Sequence, residues 1–137
     1  MPSAVVSVVV LAAMLMGGCT SERRMTVTAT AFNSTKAQTD HRPNETACGG
    51  KLKAGSQVIA VSRDLKKEGL VCGTEVEIGG LDGVYTVVDV TAKRHQKLID
   101  IYMGRDVKAA RQWGVQEVDI TWQPTREQRR KIRLAQK

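Results

Sequence analysis

Short runs of apolar and β-branched residues recur along most of the chain, each long enough to cross a small sheet once. Residues 26–32 (T-V-T-A-T-A-F) alternate small with β-branched side chains, and residues 56–62 (S-Q-V-I-A-V-S) hold a buried-looking apolar centre. Glu75–Ile78 (E-V-E-I) and residues 85–89 (Y-T-V-V-D) follow, then a run centred on Asp100 (L-I-D-I-Y). Last, Val118, Ile120 and Trp122 alternate with Asp119 and Thr121 until Pro124 stops the run. Val, Ile, Tyr and Thr at period two predict about six strands. Two stretches read as short helices. Residues 63–69 end at a glycine, with Asp64 placed as an N-terminal cap. Residues 105–113 put Val107, Ala110 and Trp113 toward one face, with Gly114 as the stop. The Gly79-Gly80-Leu81-Asp82-Gly83 cluster suits a hairpin turn. Residues 33–53 form a long polar loop, a kind that in a compact domain is functional or tied down, here by Cys48. Many short strands and few helices predict an all-β domain, and a closed barrel is the arrangement that leaves no exposed edges.

The first residues follow another pattern. Residues 4–16 are an uncharged apolar run, too short for a comfortable bilayer span and of the length of a signal-peptide core. Leu15-Met16-Gly17-Gly18-Cys19 resembles the lipobox of bacterial lipoproteins, in which the cysteine is lipidated and becomes the N-terminus. Thr20 after it implies, by that resemblance, sorting to the outer membrane facing the periplasm. Plain secretion and an uncleaved anchor are the alternatives. The chain therefore divides into a signal segment (1–18), a tether after Cys19 (19–25), one domain (26–123) and a basic tail (124–137).

Composition narrows the picture. A chain of 137 residues that is 42% hydrophobic suits one packed domain. Aromatic residues make up only 4%, fewer than a base-stacking surface needs, so no nucleic-acid partner is expected. Of the net charge of +7, a net +5 comes from Arg126, Arg129, Arg130, Lys131, Arg133 and Lys137 against Glu127. Such a tail is either a solvated helix or frayed end, or an attachment to an anionic neighbour. With Cys19 lipidated, Cys48 and Cys72 remain as an even pair, expected to form a disulfide in an oxidising compartment. Without CxxC spacing or a nearby His pair they make a poor zinc site, and neither His41 nor His95 is placed to activate a cysteine. No metal or cofactor is expected, and a monomer is.

The chemistry is concentrated between residues 85 and 104. Asp89 ends one strand and Asp100 sits inside the next. Strict alternation puts Asp100 on the face opposite Ile99 and Ile101, and puts Asp89 on the face of Val87 and Tyr85. Carboxylates in strands cost free energy unless solvated or hydrogen-bonded. A close pair suits acid–base work because burial and repulsion raise one pKa; ordinary solvent-face residues are the competing reading.

Three segments together resemble the three-aspartate (3D) domain: I-A-V-S-R-D ending at Asp64, G-V-Y-T-V-V-D ending at Asp89, and I-D-I-Y-M-G around Asp100. The resemblance implies a six-stranded double-psi β-barrel related to RlpA-like domains, expansins and the MltA-type lytic transglycosylase barrel. It implies Asp64, Asp89 and Asp100 as the catalytic set and peptidoglycan or a related glycan as partner. Tyr85, Lys93, Arg94 and His95 are the candidate substrate contacts, with a solvated loop as the competing reading for the last three. After its second aspartate the chain carries D-V-T-A-K-R-H where transglycosylases have D-T-G-G-A-I, so a bulkier, basic loop is expected to narrow or recharge the groove. Cleavage of the glycan, with Asp100 as acid and then base, and binding without cleavage are both left open.

Overall fold

The computed structural model describes residues 22–34, 46–53 and 55–137. The signal segment, Cys19, His41 and much of the long polar loop lie outside the described residues. Six strands run in chain order: β1 (Arg23–Phe32), β2 (Val58–Val61), β3 (Glu75–Ile78), β4 (Tyr85–Val90), β5 (Leu98–Tyr102) and β6 (Gln116–Trp122). They close into a barrel in the order β1-β5-β2-β4-β3-β6. The fold is all-β with few short helices, a double-psi β-barrel. Two of its pairings, β1 with β5 and β2 with β4, are parallel and the other four antiparallel. Parallel neighbours need crossover connections rather than tight turns, which is why the strands are not paired in chain order.

The alternation read from the sequence fills the barrel. Val27, Ala29, Ile59, Val61, Val76 and Ile78 point inward with Val87, Ile99, Ile101, Val118, Ile120 and Trp122, all buried. β1 starts three residues before the expected strand. Arg23, Arg24 and Met25 pair with Trp122, Thr121 and Ile120, and two charged side chains at the rim hid that extension from a hydrophobic reading. The β3–β4 connection is the expected hairpin. Gly83 holds a positive φ of 82° there, and a Cβ on it would stand 2.9 Å from the Gln57 side chain.

The 63–69 stretch is a 3₁₀ helix, Arg63–Glu68, closed by Gly69 in the left-handed conformation. The cap role expected for Asp64 is corrected. Ser62 occupies the N-cap position, no side chain bonds there, and Asp64 lies inside the first turn, where it reaches another segment. Helix α1 (Val107–Trp113) is capped by Asp106, whose carboxylate accepts the Ala109 N–H. It lies along β1, where the Trp113 indole N–H donates to the Ala29 carbonyl. The basic tail forms helix α2 (Arg126–Ala135), started by a Thr125–Gln128 capping box that satisfies two orphan backbone donors.

A disulfide joins Cys48 to Cys72, with 5.8 Å between their Cα atoms. It holds the 46–50 turn against the segment that runs beside β4. The Cys48 N–H donates to the Val88 carbonyl, and the Gly73 N–H to that of Val87. Loss of the bridge by Cys48→Ala with Cys72→Ala is expected to cost about 3 kcal/mol in urea unfolding, the loop-closure value for this separation.

Candidate functional site

The site begins with an irregularity in β4. Ile59 pairs with Val87, but the next residue of β2, Ala60, pairs with Asp89. Val88 is thus an extra residue, a bulge that turns the following side chain to the other face. This overturns the alternation reading: Asp89 leaves the face of Val87 and Tyr85 and joins the face of Ala60. Across β2 and β5 the same Ala60 pairs with Asp100, and across β5 and β1 Asp100 pairs with Thr30. Asp89, Ala60, Asp100 and Thr30 therefore form one row on the outside of four adjacent strands. With strands about 4.8 Å apart, the two aspartate backbones stand roughly 10 Å from each other, with the Ala60 methyl between them.

The members of the row differ in what they can do. Asp89 Oδ1 accepts the backbone N–H of Ala47 and of Val90, both at 2.9 Å. That carboxylate fastens the disulfide-bonded turn to the bulge. Among the described residues the Asp100 carboxylate accepts one hydrogen bond, from the Thr30 hydroxyl at 3.0 Å. Burial between strands pushes its carboxyl above the ordinary range; the Thr30 hydroxyl and the nearby His95 pull the other way and do not cancel it. The expected contribution from Asp89 is corrected too, since Asp89 is not among the influences on Asp100. Two strand spacings make direct repulsion weak.

Residues 91–97 roof the row from one side. The loop leaves β4 with the Thr91 N–H donating to the Val61 carbonyl, and ends where Lys97, at a positive φ of 44°, donates to Asp64 Oδ2 at 2.9 Å. A lysine in the left-handed region is unfavourable by about 1–2 kcal/mol, and Asp64 helps hold it there. The Lys97 carbonyl accepts the Thr28 N–H, so the loop's end is locked to β1 as well. Burial pushes the Asp64 carboxyl upward, but the Ser62 side chain and backbone donors including Lys97 outweigh it and hold it below the usual carboxylate value. A carboxyl kept ionised and bonded to a loop end is a positioning group. Through that loop Asp64 sets His95, whose ring lies near enough to act on Asp100. The His95 Nδ1 and the Thr91 hydroxyl are enclosed and find no partner among the described residues. Lys93 and Arg94 project from the same loop into solvent.

Tyr85 stands apart from this cluster. It is 9% exposed and packs in the core, and its ring edges a small cavity of about 370 Å³ shared with Tyr102 and Met103. An open groove of about 750 Å³ lies between β3, the end of β6 and the start of α2, and none of the three aspartates lines it. No group of three or more His, Cys, Asp or Glu side chains able to hold a metal occurs among the described residues. Sequence reasoning missed Thr30 and Ala60. Thr30 is one threonine in an alternating run, and only the parallel β1–β5 register shows that it faces Asp100.

No family model matches the chain, and no curated protein does. Solved structures do share the fold. The Streptomyces papain inhibitor superposes with a TM-score of 0.51 at 21% identity, over 73% of this chain and 94% of that one. An expansin of Clavibacter michiganensis gives 0.48 at 18% identity over 73% of this chain, which spans 50% of the expansin's length. MltA from E. coli gives 0.43 at 16% identity, over 62% of this chain and 28% of MltA. At these identities the papain inhibitor supports the barrel fold, and the two weaker superpositions carry no argument.

The two shifted carboxyls give stability opposite pH signatures. Asp100 binds its proton more tightly folded than unfolded, so stability falls as pH rises from the ordinary aspartate value, about 3.9, through the raised one. Asp100→Asn is expected to raise the melting temperature by a few degrees at neutral pH, with the gain vanishing below about pH 3.9. Asp64 contributes stability above its unfolded pKa that is lost as pH falls through the depressed one. Asp64→Ala is expected to cost about 0.5–1.5 kcal/mol at neutral pH, solvent screening reducing the value for a partly exposed carboxyl, and progressively less in acid. Thermal melts of both variants across pH check the two signs.

Proposed function

We propose that the barrel acts on a cell-wall glycan as a lytic transglycosylase, with Asp100 as its single acid and base. The observation that carries this reading is the Asp100 carboxyl: partly buried, raised in pKa, held by one hydroxyl, and set in an outward-facing row beside a small alanine. A carboxyl whose pKa is raised above the ordinary range holds its proton more readily, and can give it to a leaving oxygen and then take one back. The likeness of the three aspartate segments to the three-aspartate domain supplies the substrate class, peptidoglycan.

The residues support a step that needs no water. Asp100 donates its proton to the glycosidic oxygen between N-acetylmuramic acid and N-acetylglucosamine as the C1–O bond breaks. Its carboxylate then accepts the proton of the muramyl 6-hydroxyl as that oxygen bonds to C1, closing an anhydro ring. The proton count balances within the one carboxyl group, unlike the two-carboxylate hydrolases. Thr30 orients Asp100 through its hydroxyl. The nearby His95 pulls the Asp100 pKa downward without cancelling the effect of burial. Lys93 and Arg94 on the same exposed loop suit peptide carboxylates of the wall.

A second reading, a glycan-binding module that does not cut, is favoured by two specific facts. Asp64 and Asp89 are occupied with backbone N–H groups, and the open groove between β3 and α2 does not contain the row. Digestion of isolated sacculi by the full chain, with fragments identified by mass, separates the readings. Anhydromuramyl products are expected, reduced at least about 100-fold by Asp100→Asn. Reducing-end products would replace the transglycosylase mechanism with hydrolysis. Retention on sacculi with no product from either protein would establish the binding module.

A further inference from the structure

From the placement of helix α2 we infer that its outer face is a docking surface for an anionic phospholipid membrane, set at the barrel end where the chain's apolar leader attaches. The inference is independent of the glycan reading. Arg23, the first residue of β1, pairs with Trp122, the last of β6. Residues 123–125 then lead straight into α2, so the helix starts beside the point where β1 starts. Upstream of Arg23, residues 17–22 are all that separate the barrel from the apolar run at 4–16, a reach of at most about 25 Å. Whatever surface receives that run lies close to α2.

The helix is fixed with its cations outward. Pro124 and Ile132 pack over Gly69, where a Cβ would stand 3.2 Å from the proline Cβ and 3.6 Å from the Ile132 Cδ1. Gln128 faces the neighbouring groove. At 100° per residue, Arg126, Arg130 and Arg133 then fall on the side away from the barrel, and Lys137 follows the helix end, exposed. Arg129 donates to the Pro124 carbonyl and Lys131 pairs with Glu127 at 3.0 Å, but those four have no partner among the described residues. Leu134, 59% exposed, lies among them. The glutamates of the groove, Glu22, Glu75 and Glu77, are on the Gln128 side.

Free cations around one exposed leucine match an anionic interface, where each basic residue is worth on the order of fivefold in partitioning. A single short apolar segment or acyl chain holds only marginally, and a polybasic patch supplies the second attachment. A glycan without charge offers these cations nothing.

The test is co-sedimentation of the full chain with phosphatidylcholine vesicles, with and without phosphatidylglycerol, so that attachment through the apolar leader is common to both. Anionic lipid is expected to raise wild-type partitioning at least about tenfold at low salt, an advantage that salt erodes. Replacing Arg126, Arg130, Arg133 and Lys137 by Gln should abolish the advantage without altering the melting temperature. A variant with Lys at the three arginine positions should keep it. Equal partitioning of wild type into both vesicles, or an undiminished advantage in the Gln variant, would overturn the inference. So would cation-dependent retention on sacculi with no lipid preference, which would assign the surface to a wall polymer.

Discussion

The register of β2 against its two neighbours decides where the carboxylates stand. β2 has only four residues, and Ile59 and Val61 are both fully buried, so it cannot slip by one without turning two core side chains into solvent. That locks Ala60 outward, and Ala60 is the one position paired with Asp89 on one side and Asp100 on the other. The bulge at Val88 is the compensating device. Without it, Asp89 would follow Val87 inward as an unneutralised carboxylate in an apolar barrel, at a cost of several kcal/mol. The bulge instead delivers it to the outer row and leaves the Val88 carbonyl free for the Cys48 N–H. A local defect in one strand thus creates the row and anchors the disulfide-bonded turn together.

Three aspartates that look alike in the sequence are separated by what donates to them. Asp64 and Asp89 each accept backbone N–H groups that fix a neighbouring segment, and at Asp64 such donors hold the carboxyl below its usual value. Asp100 receives one hydroxyl and loses water to the strands around it, which favours the protonated form. Two carboxylates thus hold neighbouring segments in place, and the third is left as the acid of the proposed reaction. His95 links the two kinds, since its loop is held by Asp64 and its ring acts on Asp100.

Most of the barrel was legible in the chain because period-two burial is a local signal. The strands, the hairpin at Gly83, the stop at Gly114 and the helix over residues 107–113 all follow from neighbours in sequence. The side of the sheet on which Asp89 stands was not legible, because a bulge is set by the partner strand. Asp64 was misread for a similar reason. Its position two residues after a strand suits a cap, but its partner is Lys97, a residue 33 positions away. Thr30 was invisible because nothing in T-A-T-A-F marks which threonine faces a carboxyl until β5 lies in parallel beside it.

The charge distribution completes the arrangement. Arg23 and Trp122 mark one end of the barrel, and Thr30 lies seven positions along β1, roughly 23 Å away at strand rise. The carboxylate row therefore sits well up the barrel from the end that carries α2. Positive charge is concentrated at the end where β1 begins, while His95 is the only cationic influence on Asp100 among the described residues. Had the four free cations of α2 stood beside Asp100, their field would have lowered its pKa and removed the property on which the proposed acid role rests. Separation by the length of a strand exceeds the screening length of about 8 Å at physiological salt, so the basic helix can meet an anionic surface without discharging the acid. The same barrel that holds the row in register also keeps the two electrostatic requirements apart.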